Sequence, residues 1–218
     1  APIDLPGVKL SCNWMAACGE EGEDAALYDT VSAVAMELCP ALGVSVPVGK
    51  DSLSMRTRWT DSEGEKQVTS PVSLVVTAFA SLPDVRPTLT PQLQVGSELL
   101  LVDLGAGKNR LGGSILAQCT DQFGGEVPDL DEPAHLVALV AAINELRSAN
   151  MLQAYHDRAD GGLWSTVCEM AFAGGVGVDL NVDSVADLFA EELGAVAAVA
   201  AENVDRALAV FNDHGIGH

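Results

Sequence analysis

The sequence predicts a mixed α/β fold, α+β in the detail of its sheets, and three observations lead there. β-Branched runs alternate along the chain with stretches whose apolar residues recur every three to four positions, so strands and helices follow one another. Hydrophobic residues make up 48% of the chain and aromatic ones only 5%, which implies a core of Val, Leu and Ala rather than rings. Prolines at 83, 87 and 91 interrupt the pattern once, with few residues to pack, and mark the boundary between two halves. At 218 residues the chain fits one large domain or two small ones.

In order, Val8 to Met15 is apolar and extended, followed by a Gly/Glu-rich loop from Gly19 to Asp24. Leu27, Val31, Val34, Ala35, Leu38 and Leu42 then recur at helical spacing, with Asp24 a candidate cap and Gly43 a stop. Val44 to Val48 alternates as a strand does and runs into Gly49-Lys50-Asp51-Ser52, expected as a turn. A polar hairpin tip around Asp61 to Lys66 leads to the strand Val72 to Phe79. Beyond the prolines, Leu99 to Leu104 reads as a buried strand and Leu111 to Thr120 as helical. Pro133 to Ala149 is an amphipathic helix, with Leu136, Leu139, Val140, Ile143 and Leu146 on one face. Leu152 to Tyr155 is a short strand, Leu163 to Phe172 a helix, Val176 to Val182 and Ala195 to Ala200 strands, and Val204 to Phe211 a last helix. This order implies sheets covered on one face.

The net charge of −20, from 11 Lys and Arg against 31 Asp and Glu, repels the phosphates of nucleic acid and of anionic membranes. A local backbone nest or Mg²⁺ can still override that field for a single phosphate group. Cys12, Cys18, Cys39, Cys119 and Cys168 are odd in number and show no CxxC spacing, so a reducing, cytoplasmic setting is expected. Cys39 and Cys168 read as small buried hydrophobes. No apolar run is expected to span a bilayer. The missing initiator Met and the abrupt end at Gly215-Ile216-Gly217-His218 suggest a piece of something longer.

The stretch richest in chemistry is Tyr155-His156-Asp157-Arg158-Ala159-Asp160-Gly161-Gly162. Asp157 and Asp160 repel each other unless a cation, backbone donors or Arg158 compensates. Glycines allow close approach to a ligand, and a helix start beyond them offers N–H groups to an anion. Mg²⁺ shared between one or two carboxylates and a nucleotide phosphate suits such a corner. On these residues alone, the plainer reading stands slightly ahead: Asp160 caps the next helix and Asp157 pairs with Arg158 at the surface.

Gly49-Lys50-Asp51-Ser52 could present an ammonium, a hydroxyl and backbone N–H groups to one anion, although the nucleotide P-loop framing is missing. Gly105 to Asn109 is left as a turn. The acidic run Gly19 to Asp24, together with Glu169, Glu191 and Glu192, reads as solvated loops and helix starts. His156 reads as a structural hydrogen-bonder, His135, His214 and His218 as surface residues, Tyr28 and Trp14 as packed, and Trp164 as shielding the glycine turn. No Ser/His/Asp or Cys/His arrangement for nucleophilic catalysis is visible.

Together, GEDAALYDTV (22–31), VPVGKDSLSM (46–55), TPQL (90–93) and AYHDRADGGL (154–163) resemble the phosphoribosylformylglycinamidine synthase family, in its large single-chain form. The resemblance runs along nearly the whole chain. It falls in the second half of the synthetase region, related to aminoimidazole ribonucleotide synthetase and selenophosphate synthetase. It implies that residues 1–82 are the end of an A-type, barrel-forming domain, 83–97 a Pro-rich linker, and 98–218 most of a B-type α/β domain.

The implied activity is ATP- and glutamine-dependent conversion of formylglycinamide ribonucleotide to the amidine in purine biosynthesis. The formyl amide oxygen is phosphorylated, and ammonia channelled from a glutaminase domain displaces phosphate. The implied cofactors are Mg²⁺ and ATP or ADP. The implied partners are that substrate, the ammonia, and the synthetase and glutaminase domains of the longer chain, with neither nucleic acid nor membrane.

Residue by residue, Ser52 matches a substrate-contacting hydroxyl and Gly49 a nucleotide-side backbone position. Lys50 stands where small-subunit forms carry Asn, and we read it as a charge for phosphate. Asp157 matches a Mg²⁺ ligand, and Ala159, Gly161 and Gly162 fall on the nucleotide-binding turn. The usual pattern has Ser where this chain has Ala159, which removes one hydroxyl bond of about 0.5–1.5 kcal/mol. In the large form this nucleotide site looks auxiliary, retaining ADP and Mg²⁺ structurally. No residue is assigned a catalytic role. A non-catalytic ADP·Mg²⁺-binding brace and another ATP-dependent synthetase of the superfamily are the alternatives. By itself the chain is expected to be inactive and, with apolar strand surface exposed, to self-associate.

Overall fold

The computed structural model describes residues 1–217, which divide into two compact units: Ile3–Pro83, and residues 84–217 with Ala1–Pro2.

In the Ile3–Pro83 unit, β1 (Lys9–Met15) leads through a loop into one continuous helix, Glu23–Leu42. That helix comprises α1 (Glu23–Val31), a widened π-helical stretch (Ser32–Leu38) and α2 (Cys39–Leu42). The widening has a local cause in Pro40, which carries no N–H for the carbonyl one turn earlier. Just before it, the Cys39 N–H reaches back five residues to Val34 O. Gly43, at φ 68°, ends the helix in the left-handed region as the sequence predicts. Asp24 does not cap: Gly22 occupies that position, and Asp24 accepts the Gly19 N–H at 3.2 Å instead.

β2 (Ser45–Ser52) returns parallel to β1, β3 (Arg56–Asp61) and β4 (Gly64–Thr69) form the expected hairpin, and β5 (Ser73–Phe79) pairs antiparallel with β1. The sheet order is β2-β1-β5. Cys12 and Trp14 on one face are buried, as is Cys39 at the helix end. The opposite face leaves Val48, Val75 and Phe79 exposed. Tyr28, expected to pack, is 74% exposed, as is Met36. By length and composition Glu23–Leu42 qualifies as a membrane-crossing helix at mean hydropathy 1.2, an exception to the sequence expectation. Asp29 and Glu37 within it argue against lipid, where a central Asp costs about 2.5–3.5 kcal/mol.

In the second unit, β6 (Ser97–Asp103) is followed by α3 (Ile115–Cys119), α4 (Pro133–Ser148), β7 (Leu152–Asp157) and α5 (Gly162–Gly174). Then come α6 (Val185–Phe189), β8 (Gly194–Ala200) and α7 (Val204–Asp213). The sheet order is β6-β8-β7, with both pairs antiparallel. Central β8 is built of Ala and Val, and Ala195 to Val199 are fully buried. On one face Val102, Ala197 and Val199 pack with Leu139, Ala142 and Leu146 of α4 and Phe211 of α7. On the other, Ala154, Val196 and Ala198 meet Leu163, Val167 and Met170 of α5. The sheet is therefore covered on both faces rather than one.

Other departures are local. The segment Leu111 to Thr120 is helical only from Ile115, because Gly112 is pressed against the Glu126 backbone, where a Cβ would come within 2.5 Å. Val176, Val178, Leu180 and Val182 face the core alternately, as in a strand, but the segment joins no ladder. It covers the β6 side of the second face and bounds a cavity of about 980 Å³. Within the proline-rich stretch, Leu93 is buried, Leu89 packs on the core, and Thr90 O accepts the Tyr155 N–H at 3.1 Å.

Candidate functional site

β7 extends two residues beyond the predicted strand and delivers Asp157 at its C-terminal end, paired in register with Ala195. The Asp157 side chain is 71% exposed. Arg158 follows with its N–H on Gly194 O at 2.9 Å, and its guanidinium turns inward. Nε donates to Glu192 O at 2.5 Å, and a terminal nitrogen donates to Leu193 O at 3.0 Å and to the Asp103 carboxylate. The surface Asp157–Arg158 pair of the plainer reading is therefore absent, and Arg158 does not offset Asp157 and Asp160. Asp160 is exposed and caps nothing, since Gly161 holds the N-cap position without a side-chain bond.

Gly161 and Gly162 have φ of 83° and 66°, left-handed values that favour glycine. Packing adds a second demand, because a Cβ on Gly162 would lie 2.7 Å from Leu188 O. Two of the corner's donors already have partners inside the chain. Gly162 N–H donates to Ala159 O at 2.9 Å. Gly161 N–H donates to Glu191 Oε1 at 2.7 Å, and the same oxygen accepts the Ile115 N–H at 2.9 Å. An anion reaching Gly161 N–H must displace that carboxylate. Ala159 is exposed beside these glycines, so Asp157, Ala159, Gly161 and Gly162 share one corner.

Gly49, Lys50 and Ser52 lie in the other unit. The turn expected at Gly49 to Ser52 is strand: β2 runs through Ser52, with Gly49 opposite Cys12, Lys50 opposite Asn13 and Ser52 opposite Met15. Parallel pairing along β1 keeps this stretch extended. Lys50 and Ser52 consequently share the open face with Asn13 and Val75, whereas Gly49 shares the face of Trp14. All three are exposed. A Cβ on Gly49 would sit 3.7 Å from the Trp14 ring, an ordinary contact, so packing does not require glycine there.

Behind the Asp157 corner lies a charge network absent from the sequence reading. Glu192, expected as a solvated acid, is fully buried. Arg110 grips it in a bidentate pair, with Nε to Oε1 and a terminal nitrogen to Oε2 both at 2.7 Å, and adds its backbone N–H at 2.9 Å. Asp131 joins Arg110 at 3.1 Å and Lys108 at 2.9 Å. Burial pushes the Glu192 carboxyl up, but hydrogen bonds from Arg110 more than reverse this and leave it below its ordinary range. Burial also raises Asp103, yet the N–H groups of Gly107 and Gly105 and the Arg158 guanidinium hold it below the usual value. Tyr155 is pushed up to about 12 by burial and then by the charge of Asp157. Two other acids read as solvated also have partners: Glu191 as above, and Glu169 at 2.8 Å from His156 Nε2. Trp164 is 49% exposed.

Among the described residues no group of three or more His, Cys, Asp or Glu side chains is arranged to hold a metal ion. Mg²⁺ held jointly with phosphate takes only one or two carboxylates from the protein. Asp157, exposed at a strand end beside a glycine turn, fits that part.

The second unit, an α/β sheet with a carboxylate-and-glycine corner at one strand end, falls in the class of AIR synthase-like proteins, as a family model shows. Residues 94–218 match the family model described as AIR synthase related protein, C-terminal domain, and the chain belongs to this family. Residues 1–81 match the FGAR-AT PurM_N-like domain, which gives the chain a PurL-like character.

Among solved structures, Thermotoga maritima PurL complexed with ATP is 13% identical with TM-score 0.58, over 96% of this chain and 32% of that one. PurLQS from Thermotoga maritima is 13% identical with TM-score 0.59, over 99% and 33%. Escherichia coli HypE, a hydrogenase maturation protein, is 20% identical with TM-score 0.60, over 97% and 65%. At these identities the likeness establishes the fold. The chain spans about a third of the length of the PurL structures it matches.

Proposed function

We propose that this chain is part of the synthetase region of a phosphoribosylformylglycinamidine synthase, an ATP-dependent ligase drawing ammonia from glutamine and working in the cytoplasm. One observation carries the reading: the FGAR-AT PurM_N-like match over residues 1–81 precedes the AIR synthase C-terminal match over 94–218 in the same chain. The GKDSLSM and HDRADGG motifs fall one in each. Nucleotide binding is supported by PurL neighbours described as complexed with ATP, ADP and AMPPCP.

In this reading Asp157 holds Mg²⁺, which when bound neutralises phosphate charge. Ala159, Gly161 and Gly162 face the nucleotide with backbone, and Glu191 moves off Gly161 N–H when phosphate arrives. Lys50 and Ser52, on the open face of β2, orient a phosphate-bearing substrate, and Gly49, on the opposite face, is a backbone position for nucleotide. The chain's own contribution is positioning. No residue takes a proton in this scheme. The corner can equally serve as an ADP·Mg²⁺ brace that is not turned over.

A second reading, another ATP-using member of the family, is favoured by HypE, which matches with higher identity than the PurL structures. The whole native protein, given formylglycinamide ribonucleotide, ATP, Mg²⁺ and glutamine, is expected to form the amidine with release of ADP. Failure to do so with either glutamine or ammonium salt would favour the second reading.

A further inference from the structure

We propose that the open edge of β6 is the seat of one further β-strand, supplied by the stretch of the longer chain that follows Gly217 and pairing antiparallel with β6. The inference rests on the reading of this chain as part of a longer protein, and not on which reaction that protein carries out.

β6 is an outer strand in the order β6-β8-β7. Its Val102 carbonyl points at β8, where a Cβ on Gly194 would come within 2.2 Å of it, and Leu104 N–H reaches Leu193 O at 2.9 Å. Backbone groups alternate in direction along an antiparallel strand, so those of Leu99, Leu101 and Asp103 point the other way. Among the described residues these N–H and C=O groups meet no partner. They face the cavity of about 980 Å³, whose other wall is Val176 to Val182, extended and outside any ladder. Unpaired strand backbone along such a slot is a template for an extended segment.

Topology says which segment. β6 and β7 flank β8, both antiparallel to it, and α4 joins them across it. α7 leaves β8 and packs on the same face as α4. A half-turn in the plane of the sheet carries β6-α4-β7 onto β8-α7 and a strand beyond β6, which makes a second crossover of the same hand. The chain takes that path. After α7, Ile216 is buried with Phe211, and a Cβ on Gly217 would lie 3.8 Å from Asp103 O, one of the outward-pointing carbonyls. From there an antiparallel strand runs back along β6 toward Ser97.

A segment tethered at this point reaches the edge at high effective concentration, which no separate molecule matches. A second copy would also bring a net charge of −20 to a slot lined by Glu98, Asp179 and Asp183. Asp103, at the mouth of the slot, holds the Arg158 guanidinium, so the added strand braces the Asp157 corner from behind.

The test uses the whole native protein and follows amide hydrogen exchange, with Leu100 and Val102, whose N–H groups face β8, as internal references. Leu99, Leu101 and Asp103 are expected to be protected to within about a hundredfold of those two, as in a central strand. Faster exchange means an open edge and overturns the proposal. A benzophenone amino acid in place of the exposed Glu98 then identifies the occupant. Its photo-crosslink is expected on the same chain, roughly 5–15 residues beyond Gly217. A crosslink to another copy, to a different protein or elsewhere in the chain, or none at all, overturns it. Failure of the amidine assay leaves both readouts unchanged, and an open edge leaves that assay unchanged, so the two readings fall separately.

Discussion

Glu191 accepts the backbone N–H of Gly161 at 2.7 Å, so the glycine turn at the head of α5 is closed by a carboxylate from the same chain. The same oxygen ties down Ile115 N–H, at the start of a second helix. Removing it orphans two donors at once. Glu191→Ala should destabilise the protein by about 1.5–3 kcal/mol, the usual worth of a charge-assisted hydrogen bond. Because the same change removes a competitor for Gly161 N–H, ADP affinity should hold or rise. Urea unfolding and calorimetry on one preparation check both, and a loss of affinity with full stability would contradict this role.

Arg110 and Glu192 form the buried pair beneath the corner, with side chains 8% and 0% exposed. Breaking one partner leaves the other charged and out of water. Glu192→Ala should cost about 3–5 kcal/mol, read as a lower denaturant midpoint. A combined Arg110→Met, Glu192→Leu variant, which leaves no orphan charge, should recover much of that loss.

Acid should unfold the second unit earlier than its fold alone would suggest. Asp103 and Glu192 both titrate below their ordinary values in the folded chain, despite the opposing effect of burial. The stability they contribute is complete above the unfolded carboxylate pKa of about 4 and is lost as pH falls through the lower folded values. Tm measured from pH 7 to 2 should therefore drop steeply only below about pH 4. Asp103→Asn should flatten that drop while lowering Tm at neutral pH.

The glycines should separate by role. Gly162→Ala places a Cβ 2.7 Å from Leu188 O at a φ of 66° and should destabilise by more than the roughly 1 kcal/mol of an ordinary backbone misfit. Gly49→Ala meets only the Trp14 ring at 3.7 Å and should leave Tm unchanged. Any loss of substrate or nucleotide affinity in Gly49→Ala then reports on ligand approach, and an equal fall in Tm for both variants would contradict the distinction.

What the sequence could and could not reveal follows from how local each cause is. Pro133–Ser148 and Gly194–Ala200 were legible because apolar spacing and β-branched runs are written within a few residues. α6 carried a legible signal that the periodicity reading passed over: Ser184 and Asp187 form a capping box. The Gly49 to Ser52 segment read as a turn because glycine and charge usually mark one, yet its partner strand lies more than thirty residues earlier at Cys12 to Met15. Glu192 and Arg158 were misread as surface charges because their partners, Arg110 and Asp103, are 82 and 55 residues away. The Asp157 corner was visible as a motif, but Glu191, which closes it, was not, since acids beside a helix normally face water.

The central claim is that the corner at Asp157 holds a metal-bound nucleotide phosphate. Its most direct test is Mg²⁺-dependent ADP binding by the whole native protein, compared between wild type and Asp157→Asn by calorimetry. The account predicts that Mg²⁺ tightens ADP binding in the wild type and that Asp157→Asn abolishes this dependence with the fold intact. Equal Mg²⁺ dependence in both proteins would contradict it.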